Sequence, residues 1–189
     1  MRELILMKRK YRGVFMNYGE IKKNDIANGE GVRTSLFVSG CRHHCKNCFN
    51  AQTWDFAFGE PFTEETAMDI IKSCEPYWIN GLSLLGGEPF EPENQKVLLP
   101  FLIMFKEKYP DKNIWCYSGF TAEEITGKVK SRAYTEISTE MLSLIDVLVD
   151  GRFEEEKKDI TLKFRGSSNQ RVIDVKKSMS ENKIVLYME

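Results

Sequence analysis

The chain has 189 residues, room for one domain and little for two. Apolar residues make up 42% and charged residues 29%, a balance that argues against a largely disordered chain. Lys and Arg number 27 against 28 Asp and Glu, so the net charge of −1 gives no global pull toward nucleic acid or anionic lipid, and no stretch approaches the length of a membrane span.

In chain order, Met1–Phe15 mixes apolar and basic residues and reads as an N-terminal extension, with Lys8-Arg9-Lys10 as a solvated run. Met1–Met7 lacks a small-residue cleavage site and does not read as a secretory signal, so a cytoplasmic location is expected. Thr34–Val38 is the first strong strand, and it runs through Gly40 into a cysteine loop. Thr63 reads as an N-cap, with Glu64 and Glu65 in the first turn and Ala67, Ile70, Ile71 and Cys74 at helical spacing. Gly81–Leu85 is a second strand, ending in Gly86-Gly87-Glu88-Pro89. A helix is expected over Val97–Tyr109, with Pro100 in its first turn or at a kink near its start.

Ile114–Tyr117 is a third strand, closed by Ser118-Gly119. Thr121-x-x-Glu124 is a capping-box pattern for a short helix, and Met141–Ile145 gives another helical turn or two. Asp146 reads as a helix-to-strand turn residue. Val147–Val149 is a fourth strand ending at Asp150-Gly151. Glu154–Lys158 is a mixed charge run, most simply a solvated loop. Arg171–Val175 and Ile184–Tyr187 are further strand candidates. Residues 16–175 form the expected domain, and 176–189 a tail or edge strand.

Alternating strands and helices favour an α/β fold with a parallel sheet and right-handed crossovers. Ligands gather at the carboxyl ends of such strands. Four tips therefore define the candidate site: the cysteine loop, Gly86–Pro89, Tyr117–Gly119 and Asp150–Arg152. The chain is too short for an eight-unit barrel, and a partial, open barrel fits better.

The five cysteines are an odd count, which does not suit a disulfide framework. Cys41, Cys45 and Cys48 lie on one loop, and soft thiolates select zinc or iron–sulfur clusters. Zinc would want a fourth ligand, and His43 and His44 stand within the loop. A four-iron cluster also usually has four cysteines. Cys74 and Cys116, on a helix face and a strand, read as buried apolar residues. With iron bound, one iron then lacks a protein thiolate, and an open metal position is where a substrate or cofactor binds.

The Cys-x3-Cys-x2-Cys loop with Phe49 behind it, together with Gly86-Gly87-Glu88-Pro89, resembles the radical S-adenosylmethionine superfamily. Several further stretches are similar to the family of anaerobic ribonucleoside-triphosphate reductase activases. They are Asn28–Arg33, Phe37–Cys41, Asn50, Thr53-Trp54, Trp115, Tyr117–Gly119, Asp146–Gly151 and Arg165–Arg171. The likeness runs from about Met16 to about Ile173.

That resemblance implies a partial barrel of the radical S-adenosylmethionine type, with a [4Fe-4S] cluster on Cys41, Cys45 and Cys48. The open iron would be chelated by S-adenosylmethionine. Its reductive cleavage yields methionine and a 5′-deoxyadenosyl radical, which takes a hydrogen from a glycine of the reductase's glycyl-radical subunit. Asn47 and Phe49 would lie against the adenine, Gly86 and Gly87 would face the methionine amino group, and Glu88 would help define that pocket. Ser118 and Asp150 are candidates for the methionine carboxylate or the ribose, and Arg152 and Arg165 for a carboxylate. The implied partners are the reductase and an electron donor such as flavodoxin or ferredoxin, with no nucleic acid and no membrane. Glu154–Lys158 is a candidate reductase contact. The alternatives are an activase of another glycyl-radical enzyme, such as pyruvate formate-lyase, and a non-catalytic zinc-binding module.

Overall fold

A computed structural model describes residues 15–188. The expected N-terminal extension, except for Phe15, lies outside the described residues. Eight strands form one sheet among those described: β1 Asn17–Asp25, β2 Val32–Val38, β3 Glu60–Pro61, β4 Ile79–Gly86, β5 Asn113–Tyr117, β6 Val147–Asp150, β7 Arg171–Asp174 and β8 Leu186–Met188. Their spatial order is β3-β1-β2-β4-β5-β6-β7-β8.

The α/β class stands, and the expected parallel strands form the centre of the sheet but not its flanks. Only β2, β4, β5 and β6 run parallel. Both flanks are antiparallel, with β1 between β2 and β3, and β7 between β6 and β8. For the β1–β2 pair the reason is connection length. Only six residues join β1 to β2, enough for a hairpin turn and too few for a crossover. β1 carries no apolar run, since Glu20, Lys22, Lys23 and Asp25 interrupt it, although Ile21 pairs with Leu36.

The helices are α1 Glu64–Ser73, α2 Pro92–Lys108, α3 Ala122–Ile125, α4 Ser138–Leu144 and α5 Val175–Glu181. Thr63 caps α1, and Thr121 with Glu124 forms the capping box of α3. α2 begins five residues before the expected start, with Pro92 in its first turn, so Pro100 lies inside it. Asn94 and Gln95 are buried in this extra turn. Asn94 donates to the carbonyls of Ser39 (3.0 Å) and Glu88 (2.9 Å), and Gln95 to those of Phe90 (2.7 Å) and Ala133 (2.8 Å).

The strand period of two splits the sheet's faces. Leu36, Leu84, Cys116 and Leu148 pack with Ile70, Leu98, Phe101, Phe105 and Met141 into the main core under the helices. Phe37, Leu85 and Tyr117 point to the other face and line a cavity. The parallel register aligns Val38 with Gly86, Leu84 with Cys116, and Tyr117 with Val149, so the tips of the four central strands meet at one end. Among the described residues, no helix is long and apolar enough to cross a membrane.

Candidate functional site

A cavity of about 590 Å³ opens at those tips. Cys41, Cys45, Cys48 and Phe49 line it from the cysteine loop, Gly86, Gly87 and Glu88 from the end of β4, Ser118 from β5, and Arg165 from the loop after β6. Asn47 and Asp150 are not part of its lining. Neither is Arg152, which is exposed.

The cysteine loop has little regular structure and is held by anchors. Gly40 N–H donates to Thr53 O (2.8 Å) and Cys41 N–H to Trp54 O (3.1 Å). Asn47 sits at φ 56, a left-handed conformation that asparagine tolerates, and the turn lets Cys48 N–H donate to Cys45 O (3.2 Å). Asn47 therefore shapes the loop and leaves the cavity to its neighbours. The Phe49 ring is 71% exposed and packs beside Phe153, 5.7 Å between centroids.

Gly87 is required by a close approach. Its N–H donates to Val38 O (2.7 Å), and a Cβ there would stand 2.7 Å from Gly40 O. The double glycine thus lets the β4 tip press against the β2 tip just before Cys41.

The Glu88 carboxylate, 1% exposed, is a hub. It accepts from Ser118 Oγ (2.8 Å), Gly119 N–H (2.7 Å) and Phe90 N–H (2.8 Å), with His43 Nε2 at 3.1 Å. Ser118 Oγ also accepts from Phe120 N–H (3.0 Å), so its hydroxyl is already engaged. His43, offered as a zinc ligand, turns to Glu88 and rests on Phe120, 4.3 Å between centroids. His44 meets Trp54 edge-on, 4.6 Å between centroids.

Asp150 is engaged away from the cavity. Its carboxylate accepts from Ala122 N–H (2.7 Å) and from Arg171 Nε (2.9 Å) and Nη2 (2.5 Å), and Arg171 also bridges to Glu123. A strand-end aspartate facing a parallel α/β site reads as a ligand, but here it is consumed by the antiparallel neighbour β7. Asp146 is likewise structural, accepting from Lys106 Nζ and Ile114 N–H. The late Arg-Gly-Ser-Ser-Asn-Gln run ties itself to the β6 tip. Gln170 accepts from Gly166 N–H (2.8 Å) and donates to Gly151 O (3.0 Å), and Asn169 donates to Arg152 O (2.8 Å).

Two buried residues escaped the sequence reading. Arg33, fully buried, donates to Ser83 Oγ (2.7 Å) and to the carbonyls of Leu82 and Asn113, and burial pulls its guanidinium down to about 10. Glu91, also fully buried, accepts from Arg42 and Arg132. An acid just before a helix is ordinary dipole complement, so no sequence signal set Glu91 apart.

The donor set suits an iron–sulfur cluster. Burial, assisted by the charge of Glu88, pushes the Cys41 thiol up to about 12, and burial also raises Cys45. Burial thus disfavours the thiolates, and a bound cation would offset that by favouring the charged form. Among the described residues, no three His, Cys, Asp or Glu are gathered as a ready-made site for a single metal ion. Cys74 and Cys116 are fully buried in the core and lie outside the cavity lining. A polar ligand also fits, since buried Tyr117 Oη and His43 Nδ1 have no partner among the described residues.

Residues 27–173 match the family described as "4Fe-4S single cluster domain". The chain is also similar to proteins named anaerobic ribonucleoside-triphosphate reductase-activating protein. That of Pasteurella multocida is 43% identical over 157 residues, 82% of this chain and 95% of the relative. That of Escherichia coli K12 is 38% identical over 159 residues, 83% and 97% of the two chains. That of Enterobacteria phage T4 is 36% identical over 157 residues, 83% and 93%.

Proposed function

The chain belongs to the family of anaerobic ribonucleoside-triphosphate reductase-activating proteins, and on that premise we propose that it activates such a reductase with a [4Fe-4S] cluster on Cys41, Cys45 and Cys48 and with S-adenosylmethionine. The observation that carries the reading is that all three cysteines line the same cavity as Gly86, Gly87 and Phe49. When bound, such a cluster supplies the electron that cleaves S-adenosylmethionine to methionine and a 5′-deoxyadenosyl radical, which takes a hydrogen from a glycine of the reductase.

The chain's own residues bind, orient and exclude water. Gly86 and Gly87 present bare backbone to the methionine end, Phe49 offers a ring to the adenine, and Arg165 offers a guanidinium to a carboxylate. Glu88 and Ser118 hold the tips of β4 and β5 in place, and the Tyr117 hydroxyl is left to meet the ligand. Phe37, Leu85, Phe153 and Phe164 give the cavity apolar walls. In this reading residues 16–175 are the working domain, the sheet is a partial barrel of the radical S-adenosylmethionine type, and the protein works in the cytoplasm with an electron donor of the flavodoxin or ferredoxin class.

The test is anaerobic reconstitution, iron and sulfide analysis, and an electron paramagnetic resonance spectrum after mixing with reductant, S-adenosylmethionine and reductase. About four irons per chain and a glycyl doublet are expected. One zinc and no iron would overturn the cluster. A doublet with pyruvate formate-lyase alone would overturn the target.

A further inference from the structure

The first cysteine lies where β2 ends and the irregular loop begins. Its own N–H is bonded to Trp54 O (3.1 Å), and the next N–H, that of Arg42, donates to Glu91 Oε1 (2.9 Å). Glu91 is fully buried at the head of α2. Its other contacts are two guanidinium groups. Arg42 Nη1 reaches Oε2 at 2.7 Å, and Arg132 reaches the same carboxylate through Nη2 (2.9 Å) and Nε (3.1 Å). Both arginines are partly exposed and stack on rings, Arg42 on Phe56 (4.2 Å) and Arg132 on Phe120 (4.6 Å).

Burying a carboxylate is costly, and removing one partner of a buried pair leaves the other uncompensated. Glu91 meets that cost with five charge-assisted or backbone hydrogen bonds, three of them from Arg132. Only one of the five touches the backbone of the cysteine loop, at the residue after Cys41. Arg42 has a second acid, Glu93 (2.7 Å), so its side chain does not depend on Glu91 alone. The Arg42 N–H has no other acceptor among the described contacts.

We infer that Glu91 is a positioning residue for the cluster: through the Arg42 N–H it fixes the backbone on the far side of Cys41 and so the direction of that thiolate. This rests on the reading that Cys41 is a cluster ligand. Partners one shell out from a metal ligand set its orientation, and losing them typically weakens metal retention. Glu91 never touches the cluster, so its signature is the kinetics of iron loss.

The experiment uses the full chain, reconstituted anaerobically, and follows iron transfer to a ferrous chelator. Glu91→Met keeps the volume and offers only a weakly accepting sulfur, and it should lose iron about tenfold faster than wild type. Glu91→Gln keeps an acceptor oxygen for the Arg42 N–H and should stay within about threefold. Arg42→Ala keeps the backbone bond and leaves Arg132 to pair the carboxylate, so it should also stay within about threefold. Wild-type rates for Glu91→Met, or equal rates for Met and Gln, would overturn the inference, as would Arg42→Ala losing iron as fast as Glu91→Met. Thermal unfolding of each apoprotein checks the fold. If Glu91→Met does not fold, Glu91→Asp decides, because it keeps the charge and shortens the reach: faster loss supports the role and wild-type loss overturns it. A wild-type chain that takes up no iron overturns the cluster reading itself, whereas failure confined to the variants overturns only Glu91's part.

Discussion

The Glu88 carboxylate stands 3.1 Å from His43 Nε2, with both side chains almost fully buried. The second motif's acid is thereby joined to the cysteine loop, while the same carboxylate takes Ser118 Oγ and Gly119 N–H from the β5 tip. Glu88 ties three segments together, and the cavity's shape depends on that tie. Gly119 shows how close the approach is, since a Cβ there would fall 2.5 Å from the His43 ring.

Glu88→Ala should therefore act on stability before it acts on binding. It strands the Phe90 and Gly119 N–H groups and the Ser118 hydroxyl in a dry site, at about 3 kcal/mol in all. For a chain of this size that is a fall of about 6–12 °C in melting temperature. Calorimetry of the apoprotein reads it directly. A fall of less than 2 °C would show that Glu88 is not the tie.

Gly87→Ala should cost cluster occupancy. Its new Cβ would meet backbone atoms, Gly40 O at 2.7 Å and Thr53 O at 3.0 Å, which cannot swing aside as a side chain can. The strain falls one residue from Cys41. Less than about half the wild-type iron after reconstitution is the expected result. Full occupancy would mean that the β2 tip yields without moving the ligand.

Asp150 and Phe49 should separate cleanly. Asp150→Asn weakens a buried pair with Arg171 and should lower the melting temperature while leaving S-adenosylmethionine affinity within about twofold. Phe49→Ala removes an exposed ring, so melting should hold while affinity falls about tenfold through lost stacking. Titration calorimetry on the folded variants checks both. A tenfold loss in Asp150→Asn would return that carboxylate to the ligand site.

Acid should loosen the sheet's β6–β7 flank. The Arg171 guanidinium, hydrogen-bonded to Glu123, holds that carboxyl below its ordinary value of 4.5. In the unfolded chain Glu123 takes up its proton at higher pH than in the folded one, so stability is complete above about pH 5 and is lost as pH falls through the depressed folded value. Apoprotein melting should be flat from pH 7 to 6 and decline below pH 5. Glu123→Gln should make the decline shallower, and an unchanged slope would exclude the Arg171 pair as its source.

Local chemistry was legible in the chain itself. The spacing of Cys41, Cys45 and Cys48 after a strand, the Gly86-Gly87-Glu88-Pro89 run and the caps at Thr63 and Thr121 each follow from a few adjacent residues. The four parallel central strands follow from apolar periodicity, a signal that any buried strand must carry. What the chain could not disclose is which polar group is already spoken for. Asp150 and Ser118 look alike as strand-end ligands until Arg171, 21 residues beyond Asp150, and Glu88, 30 residues before Ser118, claim them. Glu91 looks like a helix-start acid until Arg42 and Arg132 converge on it from positions 49 before and 41 after. The charged strand β1 becomes visible only when β2 offers it a ladder. Hydrogen-bond capacity is finite, and its assignment is settled by long-range packing, so residue types and spacing determined the chemistry at hand while the tertiary structure decided which groups remain to perform it.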